Sequence, residues 1–341
     1  MSEPATQQSN EDTGSGRLPR LTGFIVQWIN ILGPLIALVA IYLLFAVIGP
    51  PSFAKASTLE TIARQTAIVG AAALGMTLIM ILGGIDLSVG SVVALSTVVV
   101  AWLLQDAQAA PVWAALGGIA AGLVCGAVSG LVVTGLRVVP FIVTLGMMLV
   151  VRGVAKAIAH EQKIDAPLTW LKELLASLPP EREAMLVPPG VWLVVVLAFM
   201  VAGILRYTRL GRHIFAIGSN ELTARLCGIA VNKVKLVTYT IGGAFFGLAG
   251  LLQFSRLTVG DPTAAVGLEL DVIAAVVIGG GSLSGGEGSV FGSLIGALIM
   301  SVIRSGCSQM GWPNWVQEVV TGVVIVTAVA LDRLRHRRTE S

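Results

Sequence analysis

This sequence is poor in charge. Asp, Glu, Lys and Arg make up 12% of its 341 residues, about half the ~25% usual in soluble globular domains, and that excludes a soluble globular domain. Cysteine is scarcer still. Cys125 and Cys307 sit in apolar runs and Cys227 in a polar loop, so neither a disulfide framework nor a metal pair is suggested. Histidine occurs three times, at His160, His213 and His336, all in loops or the tail, and no His-Glu-x-x-His occurs. An intramembrane hydrolase would need a His or metal constellation among the apolar runs; a metal site and enzymatic activity are therefore not expected. No lysine stands in a Gly-x-x-x-x-Gly-Lys-Ser/Thr frame, the frame that cradles phosphates. The chain should not hydrolyse ATP itself, and it carries no cofactor of its own. No nucleic-acid partner is expected.

What is present is apolar. Hydrophobic residues make up 55% of the chain and glycine accounts for 40 residues, with a mean hydropathy of +0.87. Glycine in quantity suits close-packed membrane helices, whose backbones approach one another across small residues. The reading is an all-α, polytopic transmembrane helix bundle embedded in the lipid bilayer. Residues 1–22 form a polar tail with the composition of a disordered segment, residues 23–331 the membrane domain, and residues 332–341 a basic tail. The first apolar run is too long for the core of a secretory signal.

A span needs ~20 mostly apolar residues. On that criterion the chain reads as about ten spans: 24–48, 62–82, 87–104, 112–136, 141–159, 191–205, 236–257, 272–283, 290–303 and 315–331. The eighth is short and is expected to carry a broken end. The fourth has Gly117, Gly118, Gly122, Gly126 and Gly130 at close spacing, a helix-packing face. Leu168 to Leu178 has the spacing of a short amphipathic helix. Lys and Arg in short loops prefer the cytoplasm. The loop 206–235 holds Arg206, Arg209, Arg212, Arg225, Lys233 and Lys235 against Glu221, and the tail holds Arg333, Arg335, Arg337 and Arg338. The 160–190 loop is net acidic. Ten spans with both termini cytoplasmic satisfy all three.

The stretch Ile81-Leu82-Gly83-Gly84-Ile85-Asp86-Leu87-Ser88-Val89-Gly90-Ser91 separates two apolar runs. An unpaired charge in hydrocarbon costs at least ~2.5–3.5 kcal/mol on insertion scales, so Asp86 either caps a helix at the membrane boundary or lines a cavity. The charge rule puts it at the boundary, in a glycine turn acting as hinge or gate. The stretch has an echo in Val277 to Val290, where Gly279, Gly280, Ser284, Gly285 and Gly286 repeat the plan of Gly83, Gly84, Ser88 and Gly90. Both copies would sit at the cytoplasmic end of inward-going spans, as internal repeats with broken helices do in transporters.

In the loop 206–235, Ser219 or Asn220 can cap a short helix and Glu221 suits its first turn. Glu221 and Arg225 form an i,i+4 pair in the favoured order. Leu222 and Leu226 share one face, and Gly228 can close the helix. Such a helix could dock in a groove of another protein or rest on headgroups.

These motifs resemble those of the permease subunits of bacterial ATP-binding-cassette sugar importers, the ribose-permease group. Four pieces carry the resemblance: GGIDLSVGS at 83–91, VPFIVTLGMM at 139–148, AIGSNELTARLCGI at 216–229 and GLELDVIAAVVIGGGSLSGGEGSVFG at 267–292. The resemblance implies a multi-pass protein of the bacterial inner membrane that pairs with a second permease copy, as a homo- or heterodimer. It also implies a periplasmic sugar-binding protein that delivers a monosaccharide, and a cytoplasmic ATPase that binds ATP and Mg. It gives Gly218, Asn220, Glu221, Leu222, Arg225, Leu226 and Gly228 a role in coupling to that ATPase. Thr144, Glu269 and Asp271, in the matched pieces, become candidates for the substrate path. Two departures stand out: Leu268, where an aromatic often precedes Glu-Leu-Asp, and Glu287, where a basic residue is frequent. The rival from a different class is a secondary transporter coupled to H⁺ or Na⁺ through Asp86 and Glu287.

Overall fold

The computed structural model describes residues 18–177 and 186–339, with side chains placed for 32–177, 186–327 and 330. Residues 1–17 of the expected polar tail, and Glu181, Arg182 and Glu183 of the acidic loop, lie outside the described residues. So do the side chains of the basic tail.

The elements are helical almost throughout: α1 (Leu18–Ile48), α2 (Ala56–Ile81), α3 (Val89–Gln105), α4 (Pro111–Leu136), α5 (Pro140–Ile158), α6 (Pro189–Tyr207), α7 (Arg209–Ser219), α8 (Glu221–Leu226), α9 (Val231–Leu257), α10 (Leu268–Ile278), α11 (Val290–Gln309) and α12 (Asn314–Thr339). Proline opens α4, α5 and α6, the position where its missing N–H costs nothing. Helix α1 begins five residues before the expected end of the tail, and α12 runs on through 332–339, so the basic segment continues a helix. The expected amphipathic helix at 168–178 is only a 3₁₀ turn, Trp170–Leu174, capped by Thr169.

Six helices, α2, α4, α5, α6, α9 and α11, are long and apolar enough to cross a membrane, and 32–48 and 89–105 are shorter apolar stretches. Helix α9 forms the centre, packed on α2, α3 and α4. Its seam with α4 is made of glycine: a side chain at Gly122 would meet the Gly243 carbonyl oxygen, and one at Gly126 the Tyr239 carbonyl oxygen. The glycine face expected on the fourth span is therefore a packing surface, and its partner is α9. Outward faces of α4, α5 and α6 carry exposed Trp113, Leu131, Leu149 and Phe199. In water these would be a liability; against lipid tails they are the natural surface.

Helix α10 has 11 residues, about 16 Å at 1.5 Å per residue, and cannot cross a ~30 Å hydrocarbon core alone. The chain before it makes up part of the distance. A side chain at Gly260 would touch Ala101 and the Thr97 carbonyl of α3, whereas one at Gly90, near the start of α3, would strike the Ala265 oxygen and Glu269. Between residues 260 and 265 the chain therefore descends along α3 by about seven helical residues, or about 10 Å. Arg152 of α5 holds this descending segment, donating to the Pro262 and Ala264 carbonyls at 3.0 and 2.7 Å. Beside it, Ile164–Asp165 (β1) pairs antiparallel with Val259–Gly260 (β2), and Lys163 meets Asp261 at 3.1 Å. Irregular backbone at such depth is tolerated where protein buries it or where it lines a cavity.

Candidate functional site

The loop between α6 and α9 folds as two consecutive helices. Thr208 caps α7 by accepting from Gly211 N–H at 3.2 Å. Asn220 ends α7 and caps α8, its Oδ1 accepting from Thr223 N–H at 2.8 Å, so Asn220 and not Ser219 is the cap. Glu221 meets Arg225 at 3.0 Å and Lys235 at 2.7 Å, and Gly228 turns the chain at φ +82°. The Lys235 hydrogen bond, helped by the charges of Lys235 and Arg225 against a smaller burial effect, holds the Glu221 carboxyl below the usual glutamate range. Helix α8 buries Ala224 and leaves Leu222 and Leu226 69% and 81% exposed, an apolar pair beside charges that none of the described residues covers.

The two glycine turns share a helix ending. After α2, Gly83 takes φ +89°, Gly83 N–H donates to Met80 and Gly84 N–H to Ile79. After α10, Gly280 takes φ +88°, Gly280 N–H donates to Val277 and Gly281 N–H to Val276. Both are left-handed C-caps that satisfy orphan carbonyls. The conformational echo thus pairs Gly83 with Gly280, one residue away from the alignment that the letters invite. A side-chain turn follows in each. Asp86 Oδ1 accepts from Ser88 N–H at 2.8 Å and from its hydroxyl at 2.6 Å; Ser282 Oγ accepts from Ser284 N–H at 3.2 Å.

Asp86 departs from expectation. It is 1% exposed, and it closes a turn instead of capping α3, whose N-cap is Ser88 with no side-chain bond. The reason is that residues 84–86 fold inward. Gly84 lies against the Tyr239 hydroxyl, where a side chain would collide, and Thr144 of α5 donates to the Ile85 carbonyl at 3.2 Å. Tyr239 is itself 1% exposed, its hydroxyl without a partner among the described residues.

Three motifs found separately in the sequence meet at one point. Gly286 N–H donates to the Ile81 carbonyl at 2.8 Å. A side chain at Gly218, at the end of α7, would collide with that same carbonyl oxygen and sit 2.6 Å from Gly286 N. One at Gly285 would lie 2.8 Å from Gly83 Cα and 2.9 Å from the Gly218 oxygen. Backbone therefore touches backbone among the α7 end and both turns. Asn220 and Glu221 follow directly on Gly218 and Ser219, so α8 begins three residues beyond this junction.

Of the three residues assigned to a substrate path, Glu269 and Asp271 share the first turn of α10 and Thr144 stands apart from them. Thr144 faces the first glycine turn, Glu269 reaches the start of α3 at Gly90, and Asp271 forms an ion pair with Arg304 of α11. Sequence reasoning passed over Arg152, Tyr239, Arg256 and Arg304. A cation inside or at the end of an apolar run was the available signal for the arginines; Tyr239 carried none.

Apolar helices around a glycine-seamed centre, broken by two glycine turns that a charged helical loop touches, define a multi-pass membrane permease. Comparison with known proteins gives the family. Residues 58–329 match the family described as the branched-chain amino acid transport system / permease component, and the chain belongs to it. The ribose import permease protein of Escherichia coli (strain K12) is 39% identical over 302 residues, covering 88% of this chain and 94% of its own. The fructose import permease protein of Rhizobium meliloti is 34% identical over 306 residues, covering 88% and 84%. The L-arabinose ABC transporter permease protein of Azospirillum brasilense is 32% identical over 323 residues, covering 94% and 92%. No solved structure matches the chain. The protein is a multi-pass component of the inner membrane, similar along most of its length to import permeases.

Proposed function

We propose that the protein is the permease subunit of an ATP-binding-cassette importer that carries a monosaccharide into the cytoplasm. The family description names amino acids, but ribose, fructose and arabinose are the solutes in the names of its near-full-length relatives, and sugar is the reading they support. In this reading the glycine turns and α7–α8 face the cytoplasm, and β1–β2 face the periplasm. The chain crosses about ten times, with α10 and the descending segment 261–267 together making one crossing. A partner ATPase binds ATP and Mg, a periplasmic binding protein hands over the sugar, and a second permease copy, identical or not, completes the pore.

The junction of Gly218, Ile81 and Gly286 carries the proposal. Exposed Leu222 and Leu226 give the ATPase an anchor, with Arg225 and Glu221 fixing its register. Closing of the ATPase around ATP displaces α8, and with no side chain at Gly218 to absorb it the displacement passes to Ile81 and Gly286. The ends of α2 and α10 then move together, opening the path outward; hydrolysis resets them. A coupling of this kind needs an element with two arrangements that both sites bias, and the paired turns are that element.

Reconstitution tests it. Proteoliposomes holding this permease, the ATPase and a loaded binding protein should take up ribose, arabinose or fructose with ATP inside. Uptake by the permease alone under a proton or sodium gradient would replace this reading with the ion-coupled one.

A further inference from the structure

A cleft of about 210 Å³ opens among α2, α9, α10 and α11 at the end of the bundle away from the glycine turns. Its polar lining comes from four different helices: Gln65, Gln253 and Arg256, Asp271, and Arg304. Ile68 and Met300 supply apolar wall, and Ala265 of the descending segment forms part of the rim. Such a set of polar groups is costly to place among apolar helices unless something uses it.

The groups are not spent on one another. Asp271 pairs with Arg304, leaving carboxylate and guanidinium valences over. Arg256 has no ion pair or hydrogen bond among the described residues and lies within electrostatic reach of Arg64 and Arg304, which repel it. The Gln65 Oε1 atom is buried with no partner. Ala265 takes φ +59° and Gly267 φ +82°. A left-handed alanine is strained, and strain of this kind collects at ligand clamps. Arg152, by binding the carbonyls of Pro262 and Ala264, keeps that strained rim in place.

We infer that this cleft is a solute subsite for one neutral monosaccharide ring in the outer half of the permease. The inference rests on the importer reading above and adds the place where the solute is held. Vicinal hydroxyls are each donor and acceptor at neighbouring positions. A paired carboxylate and guanidinium, with two amides opposite, present matching forks. The apolar wall suits the C–H face of the ring, and the volume is below that of drug-sized pockets, in keeping with a small solute. Arg256 is the free donor, and the amides of Gln65 and Gln253 line the same cleft.

The test uses the assembled transporter and a chemical probe of the cleft. In a background with Cys125, Cys227 and Cys307 replaced by serine, Gln253→Cys is exposed to a hydrophilic thiol reagent added from outside. Ribose, arabinose, fructose and gluconate are each offered as protectants. The sugar that the wild-type transporter imports should slow labelling; gluconate should protect less. In parallel, Arg256→Gln should lower sugar imported per ATP hydrolysed by about tenfold, the loss of one hydrogen bond to a charged group. Import of a sugar that gives no protection, or protection by gluconate alone, overturns the site while leaving the importer reading intact. Failure of the wild type to import any sugar overturns both.

Discussion

The two glycine turns begin alike and end differently. Each stops a helix with a left-handed glycine and then closes a side-chain turn, on Asp86 in one and Ser282 in the other. The first then folds into the bundle, under Tyr239 and Thr144, and buries its carboxylate. The second stays nearer the surface. Two further left-handed glycines, Gly285 and Gly286, lay its backbone against Gly218 of α7. A repeat can therefore keep its helix-ending chemistry and assign its two copies different work. One turn anchors in the core, and the other reaches toward the loop that carries α7 and α8. The bond from Gly286 N–H to the Ile81 carbonyl ties them together.

The strongest way to break this pairing is at the point of contact. Gly218→Val drives a branched side chain into the Ile81 carbonyl and Gly286 N, where backbone and not a flexible side chain must give way. Import should fall to background while the protein still inserts and the ATPase still co-purifies. Wild-type import from this variant would mean that α7 and the turns move independently. A smaller effect separates the copies. Gly84→Val meets the buried Tyr239 hydroxyl, whereas at the matching Gly281 the nearest atom is the Val276 Cγ1 methyl at 2.6 Å. Overpacking of this sort costs about 1–3 kcal/mol, so Gly84→Val should lower the melting temperature and import more than Gly281→Val. Adding Tyr239→Phe, which deletes the obstructing oxygen, should restore part of both. No rescue would place the damage in backbone flexibility instead.

Smaller still is the effect expected at the carboxylate. Asp86→Asn keeps an oxygen for Ser88 N–H and gives up only charge assistance, a change within the ~0.5–1.5 kcal/mol of one net hydrogen bond. Import measured with ATP should stay within about tenfold of wild type, since a tenfold loss corresponds to about 1.4 kcal/mol. Abolished import with intact insertion would show that the charge itself is used, and would bring back ion coupling through Asp86.

Much of the architecture was legible because membrane segments announce themselves by length and hydropathy, and glycine at fourfold spacing announces a seam. A cap at Ser219 or Asn220, the Glu221–Arg225 pair and the stop at Gly228 followed from local rules alone; the structure chooses Asn220 for the first and keeps the other two. What the letters hid is tertiary. Nothing near Asp86 signals that Tyr239, more than 150 positions away, lies over its turn. Nor does anything near Gly218 signal that its missing side chain makes room for Ile81. The one-residue slip between the copies was hidden for another reason. Gly279, Gly280 and Gly281 are interchangeable as letters, and only the backbone dihedral says which one turns.

The least perturbing test is pH, and it addresses the α8 side of the junction. Glu221 is held below the ordinary glutamate value chiefly by its bond to Lys235. A depressed carboxyl contributes stability that is fully present above the unfolded value, ~4.3, and is lost as pH falls through the lower folded one. Co-purification of the ATPase should therefore be flat from neutrality down to about pH 5 and should weaken only in stronger acid. The side chain is 43% exposed, so solvent and salt screen the pair and the loss is modest. Glu221→Gln should abolish the acid dependence while keeping most of the docking, and Glu221→Lys should weaken docking at every pH by setting three cations together at 221, 225 and 235. An acid-dependent loss that survives in Glu221→Gln would assign the titration to a group on the ATPase. The register of α8 would then rest on Leu222 and Leu226 alone.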